Sequence, residues 1–341
     1  MNHTQSIHEP PPNRLPQGAG HAAKSEATHR GRDTIEAEAD ALAAIPAIEF
    51  RHVDFSYDDN KVLDDLSFQV AKGEIKIILS GSGGGKSTIL KLILGLLNPD
   101  AGQILIDSEE ITGRDETEMQ EVRDKIGMVF QEGALFDSLT VYENVAYRLH
   151  DHGLPEEDIE EEVTSLLQFV KLDKEMDKLP SELSGGMRKR VSVARALVGN
   201  PSIVLFDEPT VALDPPTSGT ICDLIIELRD LEKVSSVVVT HEMDVVKYLT
   251  SEYLSVSEKG DIQFKDEGEK LCLTNTKILM LRKAREIFSG TSKELIESDD
   301  PYIQEFIRGT ELLPEINKSQ TKPSPPNNDD RGLLPRANLP E

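Results

Sequence analysis

The 341-residue chain reads as an α/β fold built on a largely parallel sheet, and three observations carry that reading. The apolar run "EIKIILS" enters a glycine loop. The loop opens directly into "KSTILKLILGLL", whose apolar residues recur at helical spacing. Further on, "SIVLF" and "VSSVVVT" are short, apolar and β-rich, and charged residues follow each of them. Strand, loop, helix and then further buried strands is the order expected of a mainly parallel sheet.

The elements follow in chain order. "AIEFRHVDFSY" and "LSFQV" are strand-like and flank the turn-forming Asp58-Asp59-Asn60. "EIKIILS" is the next strand, and the helix from Lys86 ends at Asn98-Pro99. Residues 115–125 and 156–171 predict polar or amphipathic helices. Residues 1–46 and 311–341, rich in proline, polar residues and charge, predict disordered extensions around a body at 47–310.

Composition narrows the function. Thirty-eight per cent hydrophobic residues can supply a core. The net charge is −25; residues 1–46 carry −2 and residues 311–341 carry −1, so −22 lies on the body. Such a field repels nucleic acid. The run Glu156-Glu157-Asp158-Ile159-Glu160-Glu161-Glu162 suits a solvated helix start or a basic partner. Two cysteines, Cys222 and Cys272, are too few for a disulfide framework or a thiolate metal site, and are expected reduced in a cytosolic protein. His3, His8, His21 and His29 lack metal-ligand spacing. The first residues carry no apolar stretch, so no signal peptide is expected. No run of about 18 apolar residues occurs, so any membrane role is expected through a partner.

The glycine loop carries the chemistry. A phosphate-binding loop requires Gly, four residues, Gly, Lys, then Ser or Thr. Counting back from Gly85-Lys86-Ser87 puts the first glycine at residue 80, which is serine. The strand-loop-helix context is nonetheless present, and a flexible linker would not join a buried strand to an apolar helix. Gly81, Gly83, Gly84 and Gly85 let backbone N–H groups turn onto phosphate oxygens, at the dipole of the helix from Lys86. The whole stretch, with Ser80, Ser82 and Thr88, is expected to hold ATP. Lys86 reaches the β- and γ-phosphates and Ser87 holds Mg²⁺. "SIVLFDEPT" delivers Asp207 to the metal shell and Glu208 to polarise a water against the γ-phosphate. In "ELSGGMRKRVSVARAL", Ser184, Gly185 and Gly186 precede a helix bearing Arg188, Lys189, Arg190 and Arg195. That is a second phosphate-binding device. One ATP does not need two on one subunit, so a homodimer is expected in which this loop caps the partner's ATP.

With these motifs the chain resembles the ATP-binding subunits of ABC transporters over about residues 47–310. The resemblance implies a P-loop NTPase fold with an antiparallel β subdomain and a helical subdomain at about 130–195. Tyr57, 29 residues before Lys86, matches the aromatic that stacks on adenine; strand packing is the alternative for it. Gln131 matches the Q-loop, Asp214 in "VALDP" the D-loop, and His241 in "VVVTHEM" the switch histidine near the γ-phosphate. The implied catalytic set is Lys86, Gln131, Glu208 and His241, with Ser87, Gln131 and Asp207 on the metal. The family usually has glycine at position 80 and a non-glycine at 81. If residue 80 needs a positive φ, serine costs about 1–3 kcal/mol, unless Gly81 absorbs the turn. Val211 and Ala212 are mild departures. A further departure is the segment at about 256–277, read as an extra hairpin around Glu258-Lys259-Gly260, either a regulatory contact or an inert insertion.

Non-transport relatives fit less well. Only 98 residues separate Lys86 from Ser184, without sustained heptads, and one cassette is present without zinc-binding cysteines. The wording "QEGALFDSLTV…ENVA", "LSGGMRKRV" and "DDPYIQEFIRG" is similar to the Mla/Mce-type lipid transporters. That implies an integral membrane permease, an Mce-domain lipid-carrying protein, and a place on the inner face of the cytoplasmic membrane. Ala134, Leu135, Phe136 and Leu139 suit a permease-docking groove or core packing. An importer of polar solutes and a soluble regulatory ATPase are the alternatives.

Overall fold

The structure, a computed structural model, describes residues 45–81, 83–256, 262–266 and 275–311. The expectations for the two extensions beyond these bounds, for Ser82, for Cys272 and for the Glu258-Lys259-Gly260 turn lie outside them.

Strands β1 (Ile48–Tyr57) and β2 (Asn60–Val70) form a hairpin across Asp58-Asp59. β3 (Ile75–Ser80) follows, buried along its whole length, and leads into helix α1 (Lys86–Ile93). β4 (Ala101–Ile106) and the short β5 (Glu109–Glu110) join the hairpin in an antiparallel sheet of order β2-β1-β4-β5. Helix α2 (Glu116–Asp124) starts at a capping box: Asp115 accepts from the Glu118 N–H and Glu118 accepts from the Asp115 N–H. β6 (Ile126–Val129) leads to three helices: α3 (Val141–Asp151), α4 (Glu156–Phe169) and α5 (Gly185–Ala196). β7 (Ile203–Asp207), α6 (Pro215–Asp230), β8 (Ser235–Thr240) and α7 (Met243–Ser251) follow. β9 (Glu252–Val256) and β10 (Ile262–Asp266) pair with each other as a separate antiparallel ribbon. β11 (Thr276–Arg282), β12 (Arg285–Gly290), α8 (Ser292–Ile296) and α9 (Pro301–Glu311) complete the described chain.

The central sheet has the order β12-β11-β3-β8-β7-β6, parallel throughout except for β12 at the edge. Its inner parallel strands are apolar on both faces because both faces are covered. Ile75, Ile77, Leu79, Val204, Phe206, Val238, Ile278 and Met280 face a core shared with α3 to α9. Ile78, Ile203, Leu205, Val237, Val239, Leu279 and Leu281 face a second core shared with α1, α2 and the antiparallel sheet. Each such fully buried side chain contributes about 1.5–3 kcal/mol, so the sheet is a rigid base for whatever its ends carry. Cys222 sits inside this packing on α6, and burial pushes its thiol up to about 12, which makes it unreactive.

Candidate functional site

Leu79 of β3 pairs with Thr240 of β8, and Val239 of β8 pairs with Asp207 of β7. The register therefore brings three carboxyl ends side by side, and the residues just past them share one rim. These are the glycine loop, His241 and Glu208.

The loop is shaped by glycine at two points. Gly83 and Gly85 are left-handed, with φ of 74° and 88°, and Gly85 caps α1 without any side chain over the helix end. The N–H groups at that end are thus left for an anion. The conditional strain at position 80 does not arise. Ser80 is the last residue of β3, fully buried, and neither it nor Gly81 has a positive φ. The turn falls at Gly83 and Gly85 instead. Gly84 N–H donates to the Gly81 carbonyl at 3.1 Å, as does the Ser80 hydroxyl at 3.1 Å.

Charged groups converge beside the loop. Lys86 Nζ donates to the Ser80 carbonyl at 2.8 Å and stands 3.4 Å from Glu208 Oε1. Nδ1 of His241 lies 2.9 Å from the same oxygen. Glu208 is buried, its φ of 44° is left-handed, and its Oε2 has no hydrogen-bond partner among the described residues. Strained backbone of this kind costs about 1–3 kcal/mol and gathers at functional sites. Ser87 Oγ donates to Asp207 Oδ2 at 3.4 Å. Burial raises the Asp207 carboxyl above its ordinary range, against the opposing effect of the Ser87 hydroxyl. A desolvated carboxylate beside a hydroxyl, near a lysine and a helix start whose cap residue has no side chain, fits a hard cation and a polyphosphate. Thr88 is buried next in line on α1.

The other predicted residues fall in two further groups. Ser184 caps α5, accepting from the Met187 N–H at 3.2 Å. A Cβ on Gly186 would lie 2.2 Å from Thr217 Cγ2, so any side chain there would displace Thr217 where α5 meets α6. Asp214 caps α6, accepting from the Thr217 N–H at 3.2 Å and from its hydroxyl at 2.7 Å; those bonds hold its carboxyl below the usual range. Among the described residues, no hydrogen bond or ion pair joins Ser184, Gly185, Gly186 or Asp214 to the loop of the same chain. Tyr57 ends β1 half-exposed, 4.8 Å edge-on to the Phe55 ring.

Gln131 is exposed and follows β6. Its placement depends on residues that sequence reasoning treated only as a basic run. Lys189 Nζ donates to the carbonyls of Phe130 at 3.0 Å and Gln131 at 2.5 Å, and Arg195 donates to those of Gly133 at 2.9 Å and Ala134 at 2.7 Å. Two cations of α5 thus pin the turn after Gln131. Asn144 was also missed. Buried on α3, it accepts from the Phe136 N–H and donates to the carbonyls of Phe136, Leu139 and Thr140. Of the proposed groove residues, Leu135 packs on the core, whereas Ala134 and Phe136 are exposed, with the Phe136 ring 4.8 Å from Tyr147.

The Lys189 ammonium is pushed down to about 8 by burial, against the opposing charge of Asp207. An unfolded lysine titrates near 10.5. Between those values the unfolded chain binds a proton that the folded chain has released, so this group makes stability rise with pH. Wild type is expected to gain stability relative to Lys189→Met between about pH 8 and pH 10, read from denaturant midpoints. Parallel curves would show that the ammonium is not desolvated.

The family described as "ABC transporter" matches residues 63–211. The chain is 36% identical over 263 residues to the intermembrane phospholipid transport system ATP-binding protein MlaF of Haemophilus influenzae, covering 77% of this chain and 90% of that one. It is 44% identical over 186 residues to the methionine import ATP-binding protein MetN of Carboxydothermus hydrogenoformans, over 54% of this chain and 55% of that one. Among solved structures it is similar to a post-hydrolysis dimer of the ATP-binding cassette MJ0796 bound to ADP and Pi. There the identity is 28%, the coverage 72% of this chain and 98% of that one, and the TM-score 0.59.

Proposed function

Because the chain belongs to the ABC transporter family of ATP-binding proteins, in which ATP hydrolysis is coupled to transport, we propose that it energises a membrane permease moving phospholipid or another hydrophobic molecule. One observation carries the choice of cargo. The likeness to the phospholipid system's subunit extends over 90% of that protein, whereas the likeness to methionine importers' subunits extends over 55% of one and 71% of another. Among the described residues no helix is long and apolar enough to cross a membrane. In this reading the permease is a separate chain working with an Mce-domain lipid carrier, and this subunit sits on the permease's cytoplasmic face. The methionine-importer likeness supports a second reading, an importer of polar solutes.

Two copies close on ATP, consistent with the dimeric cassette the fold resembles. Each loop wraps the phosphates of its own ATP, and Tyr57 offers its exposed ring to the adenine. Ser184 uses its oxygen to cap α5, which leaves its hydroxyl proton free to donate to the γ-phosphate held by the other copy. Asp214 lines the same interface. Ser87, Asp207 and Gln131 would hold Mg²⁺, which neutralises charge on the β- and γ-phosphates when bound. Glu208 takes a proton from the attacking water as its oxygen bonds to the γ-phosphorus; the bond to the β-phosphate oxygen breaks, and ADP and phosphate leave. His241 orients that carboxylate at 2.9 Å, and Lys86 steadies the charge on the transferred group. The turn after Gln131, pinned by Lys189 and Arg195, links the site to the exposed Phe136 and Tyr147.

The test is to recover tagged Glu208→Gln chain with MgATP from detergent-solubilised native membranes, then identify co-purifying proteins and extract lipid. A multispanning permease with an Mce-domain protein and phospholipid is expected. A permease with a solute-binding protein and no lipid would favour the polar importer, and recovery only from the soluble fraction would sink the transporter reading.

A further inference from the structure

We propose that Ser80 and Gly84 are a reciprocal steric pair that sets the shape of the phosphate loop, with Ser80 acting as a positioning residue for the loop backbone. The inference rests on the reading of this loop as the ATP-phosphate site.

The glycines of the loop are there for different reasons. Gly83 and Gly85 need their positive φ, but Gly84 has none, so its backbone would accept a side chain. What forbids one is Ser80. A Cβ on Gly84 would stand 2.4 Å from Ser80 Oγ and 2.6 Å from Ser80 Cβ. Rotating the hydroxyl away would relieve the first contact only. The Cβ of Ser80 is fixed to the end of β3, fully buried and held in register beside Leu281. The loop would have to lift off the strand to make room. Positions 80 and 84 therefore share space for one side chain, and this chain places it at 80.

The placement has consequences for the anion site. The Ser80 hydroxyl and the Gly84 N–H both donate to the Gly81 carbonyl, at 3.1 Å each. A carbonyl has two lone pairs, so both are taken up within the loop, and the Gly84 N–H is committed to this bond. The Ser80 carbonyl in turn receives Lys86 Nζ at 2.8 Å. Residue 80 thus braces the loop from beneath, through its hydroxyl on one side and its carbonyl on the other.

The test is a double-mutant cycle on the full chain, read as MgATP affinity by calorimetry, with the nucleotide-free thermal midpoint as a check on folding. Gly84→Ala is expected to weaken MgATP at least about tenfold through overpacking. Adding Ser80→Gly is expected to restore affinity to within about threefold of wild type, as coupled neighbours should; the remaining approach of 3.1 Å to the Gly81 carbonyl needs only a small shift. Adding Ser80→Ala, which keeps the Cβ, should not restore it. Wild-type affinity in Gly84→Ala, or no recovery with Ser80→Gly, overturns the pair. If Gly84→Ala does not fold, recovery of a folded, ATP-binding chain by Ser80→Gly supports the pair and failure to recover overturns it. Absence of MgATP binding by wild type would instead overturn the reading of the site, and the pair with it.

Discussion

The Glu208→Gln chain is expected to bind MgATP within about twofold of wild type while its turnover falls at least tenfold, and up to about 100- to 10,000-fold, the usual worth of a general base. The amide has the carboxylate's shape, so the left-handed backbone at φ 44° and the N–H bond to the Val239 carbonyl at 3.0 Å are kept. Oε1 is already taken up by His241 at 2.9 Å and Lys86 at 3.4 Å. Oε2 is buried with no hydrogen-bond partner among the described residues, and it is the oxygen left to accept a proton from water. An amide nitrogen there cannot do so. Steady-state hydrolysis with a parallel binding isotherm decides the matter: unchanged turnover would remove Glu208 from this role.

Lys86→Ala is expected to weaken MgATP by at least about 30- to 100-fold, the loss of more than one charged hydrogen bond to phosphate. It also removes the cation nearest the buried Glu208 carboxylate, leaving His241 as its other neighbour. Part of the effect therefore lies in the protein itself, and the nucleotide-free thermal midpoint should drop as well. Fluorescent-nucleotide titration separates the two losses. Affinity within threefold of wild type would mean that the glycine loop holds phosphate without its lysine, and would count against the proposed site.

What the sequence reveals here depends on whether the responsible residues are neighbours in the chain. "IKIILS", "SIVLF" and "SSVVVT" declare themselves as β3, β7 and β8 because both faces of the sheet demand apolar side chains. β4 does not, since its first three residues, Ala101-Gly102-Gln103, are not buried. β6 is hidden by Gly127, which resembles a turn signal; in fact its missing Cβ admits the Ala196 carbonyl, 2.0 Å from where that Cβ would be. Pro215-Pro216 looks like a helix stop, yet α6 begins there, because proline suits the first turn after the Asp214 cap. The helix from Lys86 ends at Ile93 rather than Leu97, with Gly95 left-handed at φ 63°. At the site, the linear motifs mark the loop and the strand ends. Lys189 binding main chain 58 and 59 residues away, and the Ser80–Gly84 contact, leave no mark in any pattern of residue types.

The sheet order also sets a timetable for synthesis. Ile75 of β3 pairs with Ser236 on one side and Thr276 on the other. A ribosome adding about 5–20 residues per second needs roughly 10–40 s after making β3 to supply both neighbours, which lie about 160 and 200 residues downstream. For that interval the nascent chain carries "IKIILS" with both edges open, a strand without charge except Lys76. Such a segment is a template for pairing with other chains. The ATP loop cannot take shape until nearly the whole body has emerged, so this protein should depend on holdase chaperones during translation far more than its folded stability would suggest.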